Sequence, residues 1–230
     1  MSQSFKENQA PDYSFSNEKR QGVYEAIALR RDIRSFLPNP IPDEKLGRIL
    51  EAANMAPSVG FMQPWDFIIV KDFDTRNKLH AHVDSERRHA ADGFEGKRKE
   101  SYSSLKLEGI LDAPVNILVT CDPSRFGPSV IGRNTIRETD VFSAVCAVQN
   151  LWLAARAEGI GVGWVSILKN EFLRHIFHIP AHIIPVAYLC VGYTEDFDDT
   201  PLLQKIGWLP KRELDETIHS EEWGKKPAAG

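Results

Sequence analysis

The sequence predicts an α+β protein built from layers of helix and sheet. Four short apolar runs have the composition of buried strands, and long helical stretches separate them along the chain. Their order lacks the steady alternation of strand and helix that is typical of a doubly wound sheet. A length of 230 residues suits one sizeable core. We therefore expect one domain over 18–223, with a flexible N-terminal extension at 1–17 and a disordered tail at 224–230.

Composition narrows the class of protein. Hydrophobic residues make up 42% of the chain, the formal net charge is −4 and the isoelectric point is about 6.0. The basic residues are spread along the chain, which argues against nucleic acid or an anionic membrane as the main partner. Residues 1–16 lack the apolar core of a secretory signal, and no apolar run is long enough to span a bilayer, so we expect a cytoplasmic protein. Three widely spaced cysteines with apolar neighbours favour buried, reduced thiols.

The first predicted helix begins after Ser16, a capping residue, and runs into a cluster of charges: Arg30, Arg31, Asp32 and Arg34. Arginines this close repel one another, so their clustering indicates an anion that accepts several charge-assisted hydrogen bonds, most economically a phosphate. The dipole of the helix also favours cations at its C-terminus, which is a structural reason for them. A phosphate site gains nothing from a central carboxylate. Asp32 is therefore either a salt-bridge partner or a group with chemistry to perform.

A second helix, ending near Met55, precedes an unusual segment at 56–65. This segment contains two prolines, a glycine and several large apolar residues. It cannot be regular helix or central strand, yet it is too apolar for an ordinary exposed loop. We expect it to line a ligand, with a buried connector as the alternative. A short strand follows at 67–70.

The middle of the chain combines a charged region with an apolar helix. Residues 74–108 are mostly helical and charged, and they form either a mobile lid or a solvated helix pair. A buried strand is predicted at 115–121. The helix that opens at Asp140 is apolar nearly all round, so it is the centre of the fold or half of a subunit interface.

Three glycines follow that helix at Gly159, Gly161 and Gly163. A dinucleotide-binding fingerprint follows a strand and opens a helix, and here the order is reversed. The glycines instead suit a helix C-terminus and a close approach of the backbone, leading into a strand at 162–167 with Ser166 near its end. Another buried strand is predicted at 185–192. Three nearby histidines are interrupted by a proline, and we expect no metal site there.

Several of these motifs together resemble the nitroreductase family of FMN proteins, over about residues 18–223. They are the Arg-Arg-x-x-Arg-x-Phe cluster, the Ala-Pro-Ser…Gln-Pro-Trp segment, the apolar helix ending in Glu-Gly-x-Gly, an Ile-Pro-x-His turn and a late basic residue. The resemblance implies a nitroreductase-like FMN-binding fold, with a central mixed or antiparallel sheet flanked by helices. It also implies a homodimer in which each active site is built from two subunits.

Two pairs of segments, 30–34 with 56–65 and 104–110 with 146–159, look closer to one branch of the family. That branch carries an aspartate where common nitroreductases have a small hydroxyl residue, and Asp32 stands at this position. The likeness implies that reduced FMN is the substrate and that dioxygen drives its fragmentation. The products would be 5,6-dimethylbenzimidazole, the lower ligand of cobalamin, and erythrose 4-phosphate.

The resemblance also assigns residues. The arginines of the cluster, with Lys211 or Arg212, would hold the phosphate and ribityl chain, while Asp32 would act as a base and Ser166 would hydrogen-bond near the reactive edge of the ring. Segment 105–107 would help to cover the ring. The expected FMN-binding set is Arg30, Arg31, Asp32, Ile33, Arg34, Ser58, Met62, Gln63, Leu105, Leu107, Val165, Ser166, Lys211 and Arg212.

Two other functions stay open. One is an NAD(P)H-dependent nitroreductase or dehalogenase-type enzyme that retains FMN as a cofactor, and the other is a non-catalytic flavin-binding or storage protein. Asp32 itself has a structural alternative, a salt bridge with Arg34. Because the chain has no nicotinamide fingerprint, we expect a separate NAD(P)H flavin reductase, or diffusible reduced FMN, as the source of the substrate.

Overall fold

The structure is a computed structural model that describes residues 11–227. Parts of the predicted extension and tail, residues 1–10 and 228–230, lie outside this range. A short 3-10 turn at Val59–Phe61 adds to the regular elements. These elements are α1 (Asn17–Leu29), α2 (Asp43–Asn54), β1 (Trp65–Val70), α3 (Phe73–Ala91), α4 (Gly96–Ser104), β2 (Val115–Cys121), α5 (Thr139–Ala157), β3 (Gly161–Val165), α6 (Asn170–Phe177), β4 (Ile184–Gly192), α7 (Leu202–Lys205) and α8 (Leu214–Thr217).

The four strands form one sheet in the order β1-β2-β4-β3, and every neighbouring pair is antiparallel. The α+β prediction is confirmed. β1 begins earlier than predicted because Trp65 already pairs with Cys121. β3 ends at Val165, whose partner is Tyr188, so the prediction that Ser166 lies on this strand is wrong: it follows the last paired residue.

Helices cover both faces of the sheet. Side chains alternate along β2, so that Ile117 and Val119 face α2 and α5 while Leu118 faces α3 and α6. All seven residues of β2 are buried, which makes this strand the centre of the core. Each fully buried aliphatic side chain contributes roughly 1.5–3 kcal/mol to folding.

Helix α5 has an inner and an outer face. Eight of its residues are buried, so it is central to the fold, as one of the two interpretations predicted. Its outer face carries Phe142, which is 56% exposed, and Val145, which is 37% exposed. Helix α1 packs against α5 and has no buried residue of its own, and its Val23 and Ile27 side chains are 49% and 50% exposed. This side of the molecule therefore presents apolar surface to the outside.

Local signals explain several helix ends. Ser16 occupies the N-cap position of α1, although its hydroxyl makes no capping hydrogen bond. The carboxylate of Asp72 caps α3 by accepting from the Thr75 N–H at 2.7 Å. The charged region forms α3 and α4, with a break around Gly93.

The three cysteines are free thiols. Cys121 and Cys190 are buried, and desolvation raises the pKa of each to about 12. Cys146 is only half-buried, which corrects the prediction that all three are buried, because it lies between the inner and outer faces of α5. Within residues 11–227, no helix is both long and apolar enough to cross a membrane.

Candidate active site

The basic cluster lies in an extended segment beside β3. Helix α1 ends at Leu29, and the backbone of Arg30 is already extended. The Ile33 N–H donates to the Val162 carbonyl at 3.0 Å, and Asp32 forms a parallel bridge with Val162. The cluster therefore begins at a helix C-terminus, as predicted, but its aspartate and last arginine are positioned by the sheet.

Glycines in β3 permit this close packing. A Cβ atom on Gly163 would lie 2.0 Å from the Ile33 carbonyl oxygen, and one on Gly161 would lie 2.9 Å from the Ile33 side chain. No side chain fits at the first position without moving backbone. Gly159 has φ of +73°, which suits the end of α5. Both roles predicted for these glycines are confirmed.

Asp32 is held by two partners. One carboxylate oxygen accepts from the Trp164 N–H at 2.9 Å, and the other is paired with Arg34. Arg34 in turn donates to the Trp164 carbonyl at 2.9 Å, which closes a small ring of hydrogen bonds. The Asp32 side chain is still 41% exposed. The salt bridge proposed as its structural alternative is thus present, but the carboxylate stays accessible.

The surroundings shift the acidity of Asp32. Desolvation raises the pKa of its carboxyl above the ordinary value, and the positive charge of Arg34, the Trp164 N–H and the charge of Arg30 oppose that rise. The carboxylate is therefore a somewhat stronger base than an exposed aspartate.

An open cleft of about 660 Å³, the arginine cleft, brings together three of the residues predicted to bind phosphate. Arg30 and Arg31 approach it from the end of α1, and Lys211 approaches from the C-terminal segment. Arg30 is fixed by stacking over the Trp152 ring, with 4.9 Å between the guanidinium carbon and the ring centroid. Arg31 donates to the Asp199 carbonyl, while its Nε is buried without a hydrogen-bond partner among the described residues. A cationic cleft of this kind suits a phosphate.

Arg34 and Arg212 do not line the arginine cleft. Arg34 is turned toward β3 by its bond to Trp164. Arg212 lies 3.7 Å from the Glu216 carboxylate and donates to the Glu216 carbonyl. Of the two basic residues expected from the tail, the cleft selects Lys211.

The 56–65 loop forms a second, smaller cleft of about 390 Å³. Met62 and Gln63 line it, and the Gln63 N–H donates to the Ser58 hydroxyl at 3.0 Å. The buried Met62 side chain and the 78% exposed Phe61 show that this segment is neither simple core nor simple surface. Its lining residues and those of the arginine cleft have no member in common, so one chain keeps the two groups of predicted residues apart.

The remaining predicted residues differ in accessibility. Ile33, Leu105 and Val165 are buried, so their side chains belong to the core. Leu107 is half-buried. Ser166 is exposed, two residues beyond the Trp164 N–H that binds Asp32.

Sequence reasoning missed the residues that hold the site together. Trp164 contributes only backbone atoms to Asp32 and Arg34, and Trp152 contributes a ring to Arg30 and an indole N–H to the Arg31 carbonyl. Backbone partners leave no mark on residue type, so Trp164 had no sequence signal. Asp199 binds Arg31 through its backbone carbonyl, so its residue type gave no signal either.

Comparison with known proteins places this geometry in a family. The model of the nitroreductase family matches residues 27–193, which is more than half of the chain. The chain belongs to the nitroreductase family. The matched region runs from the end of α1 to just past β4 and contains both the charge cluster and the 56–65 loop.

Curated nitroreductase-family relatives carry a more specific name. The 5,6-dimethylbenzimidazole synthase of Rhodospirillum rubrum is 38% identical over 86% of this chain and 94% of its own length. A protein of the same name from Rhodobacter capsulatus is 36% identical over 85% and 94%. Among solved structures, an iodotyrosine deiodinase bound to FMN and 3-iodo-L-tyrosine superposes with a TM-score of 0.67 at 23% identity, covering 87% of this chain and 98% of that one. That likeness confirms the nitroreductase fold.

Proposed function

We propose that this protein is a 5,6-dimethylbenzimidazole synthase, which uses dioxygen to fragment reduced FMN into 5,6-dimethylbenzimidazole and erythrose 4-phosphate. The observation that carries the proposal is the accessible carboxylate of Asp32, set between Arg34 and the Trp164 N–H in the segment that also contributes Arg30 and Arg31 to the arginine cleft. The names of the relatives with 38% and 36% identity support the same reaction.

The donor set of the arginine cleft fits the phosphate of FMN. Arg30, Arg31 and Lys211 offer positive charge from two directions. Each charge-assisted hydrogen bond of this kind contributes about 1.5–3 kcal/mol. The 56–65 loop, through Ser58, Met62 and Gln63, would hold the ring.

Asp32 is the proposed base. Reduced FMN would be the substrate, and its reaction with dioxygen would supply the oxidation that breaks it down. Release of a sugar phosphate breaks a bond of the ribityl chain, and this requires a group that takes a proton from a ribityl carbon or hydroxyl. The raised pKa of Asp32 makes it a stronger acceptor, and the Trp164 N–H holds its second oxygen in a defined orientation. Ser166 is proposed to hydrogen-bond at the reactive edge of the ring.

A homodimer would unite the two clefts. Exposed apolar side chains on the outer faces of α1 and α5, among them Ile27, Phe142 and Val145, support a subunit interface on this side of the molecule. In such a dimer the arginine cleft of one subunit and the 56–65 loop of its partner would form one site. This arrangement accounts for the separation of the two groups of predicted residues within a single chain.

Reduced FMN would come from a separate NAD(P)H flavin reductase. Because FMN is consumed and the chain has no nicotinamide fingerprint, the enzyme would receive FMN already reduced, or its bound FMN would be reduced by that partner. The proposal therefore predicts that NADH and this protein alone generate little product.

The test is aerobic incubation of the purified protein with FMN, NADH and an independent flavin reductase, followed by chromatography. The expected result is 5,6-dimethylbenzimidazole and loss of FMN, both abolished under anaerobic conditions and in the absence of the protein. Intact FMN together with oxidation of NADH by the protein alone would reject the synthase and leave an NAD(P)H-dependent nitroreductase. Tight binding of FMN without either reaction would indicate a storage protein.

A further inference from the structure

The 56–65 loop adopts a backbone that needs external support. Gly60, Phe61 and Gln63 have φ angles of +51°, +56° and +46°. Only glycine adopts this left-handed region freely, so the conformation of Phe61 and Gln63 is maintained by surrounding structure. The groups that hold these residues therefore also determine where the neighbouring Met62 and Gln63 side chains point.

Part of that support comes from the connection between β2 and α5, residues 122–138. One guanidinium nitrogen of Arg125 donates to the Gln63 carbonyl at 2.6 Å and to the Trp65 carbonyl at 3.1 Å. The other donates to the Asp66 carboxylate at 2.6 Å. A single side chain thus fastens the loop at the point where it enters β1.

The same connection makes further contacts with the loop. The Asp122 N–H donates to the Pro64 carbonyl at 2.7 Å. A Cβ atom on Gly60 would lie 2.5 Å from the Val130 side chain and 2.8 Å from the Ile131 carbonyl, so the connection lies directly against the loop. Arg125 differs from these contacts because it binds Gln63 itself.

We propose that Arg125 is a positioning residue for the isoalloxazine ring, acting through the carbonyl of Gln63. The inference rests on the proposed function, in which Gln63 and Met62 line the ring site. Arg125 is 27% exposed and lines the same cleft as both residues, so its side chain supports the loop from within the ring site. Without it, the strained backbone at Gln63 would relax and the ring would lose its fixed partner.

Arginine is required because one planar group serves two carbonyls and a carboxylate at once. A lysine at this position keeps the charge but has no rigid fork, so it can satisfy only part of the set. Arg125→Lys should therefore fall between the wild type and Arg125→Ala. Arg137 offers a matched control, since it lies exposed in the same connection.

The experiment measures flavin binding rather than turnover. Affinities for oxidised FMN and for riboflavin, which lacks the phosphate, are determined by fluorescence quenching for the wild type, Arg125→Ala, Arg125→Lys and Arg137→Ala. The visible circular dichroism of the flavin is recorded at saturation. Arg125→Ala is expected to lower the affinity for both flavins by about tenfold and to alter the flavin spectrum, because the charge-assisted bonds that hold the loop are lost. Arg137→Ala should match the wild type.

Unchanged affinities and an unchanged flavin spectrum in Arg125→Ala would overturn the inference. So would weakening of FMN alone, since that marks a phosphate effect. If Arg125→Ala fails to fold by far-ultraviolet circular dichroism, the same criteria apply to Arg125→Lys. Product formation by the wild type is assayed separately, so a protein that binds flavin through Arg125 but makes no 5,6-dimethylbenzimidazole would contradict only the proposed function.

Discussion

The charge cluster at 30–34 and the loop at 56–65 are held in different ways. The cluster is attached to the backbone of β3: the Ile33 N–H donates to Val162 at 3.0 Å, and the side chains of Asp32 and Arg34 bind the Trp164 N–H and carbonyl. The loop is attached to the connection between β2 and α5, through the Arg125 side chain on the Gln63 carbonyl and the Asp122 N–H on the Pro64 carbonyl. The cluster is therefore fixed by the sheet itself, whereas the loop depends on a connection more than sixty positions away along the chain.

This difference indicates that the cluster supplies the chemical groups of the site, whereas the loop supplies its shape. Residue types that carry charge, Arg30, Arg31 and Asp32, adjoin one another and keep accessible surface. Residues of the loop supply shape, and their geometry requires partners elsewhere. Changes in the cluster should alter chemistry or phosphate affinity, and changes around the loop should alter how the ring is held.

The largest expected effect comes from Asp32→Asn. Removal of the proposed base should lower the rate of 5,6-dimethylbenzimidazole formation by about 10²–10⁴-fold, the usual range for loss of a general base. Affinity for oxidised FMN should stay within a few-fold, because the amide oxygen of the substituted side chain still accepts from the Trp164 N–H. Rates measured by chromatography and affinities by fluorescence quenching check this. Equal loss of binding and rate would assign Asp32 to positioning alone.

Phe142→Glu should disrupt the proposed dimer and so separate the arginine cleft of one subunit from the 56–65 loop of its partner. A charge on the exposed outer face of α5 opposes burial in a subunit interface, so we expect a monomer by light scattering and loss of most flavin affinity. Phe73→Glu is a matched control, because Phe73 is 59% exposed and its helix lies on the opposite face of the sheet. A monomeric Phe142→Glu protein with normal FMN affinity would mean that one chain holds the whole site.

Arg30→Ala and Lys211→Ala should sharpen the assignment of the phosphate to the arginine cleft. Each is expected to weaken FMN by about 10- to 100-fold, because one charge-assisted contact is lost, and to leave riboflavin affinity nearly unchanged. Arg212→Ala should have a much smaller effect, since Arg212 is engaged by Glu216 outside the cleft. Titration of all three variants with both flavins checks the prediction. A reversed order of Lys211 and Arg212 would show that the tail is arranged differently when flavin is bound.

The smallest expected effect is on stability. Desolvation holds the pKa of Asp32 above 3.8 in the folded protein, so the folded state favours the neutral form. The stability from that shift is present below the unfolded pKa and is lost as pH rises through the folded pKa. Asp32→Asn, which stays neutral, should therefore keep or slightly raise the midpoint of thermal unfolding at pH 7. A clear decrease would instead support a structural ion pair with Arg34.

Sequence alone determined the elements and the charged residues. Apolar runs located the four strands to within two residues because burial on both faces leaves continuous hydrophobic stretches, as in β2. The glycines of β3 were read correctly because a missing side chain is itself a signal. The phosphate hypothesis rested on the clustering of arginines. Because neighbouring positive charges repel one another, such a cluster indicates an anionic ligand.

Only the tertiary structure decided which partners each residue has. It selected Lys211 over Arg212 for the arginine cleft, turned Arg34 toward β3 and moved Ser166 past the end of its strand. It also brought Arg125 to the carbonyl of Gln63. These outcomes depend on contacts between distant segments, many of them through backbone atoms that every residue carries. Residue type records charge and size locally, whereas the direction of a side chain is set by the whole packed chain.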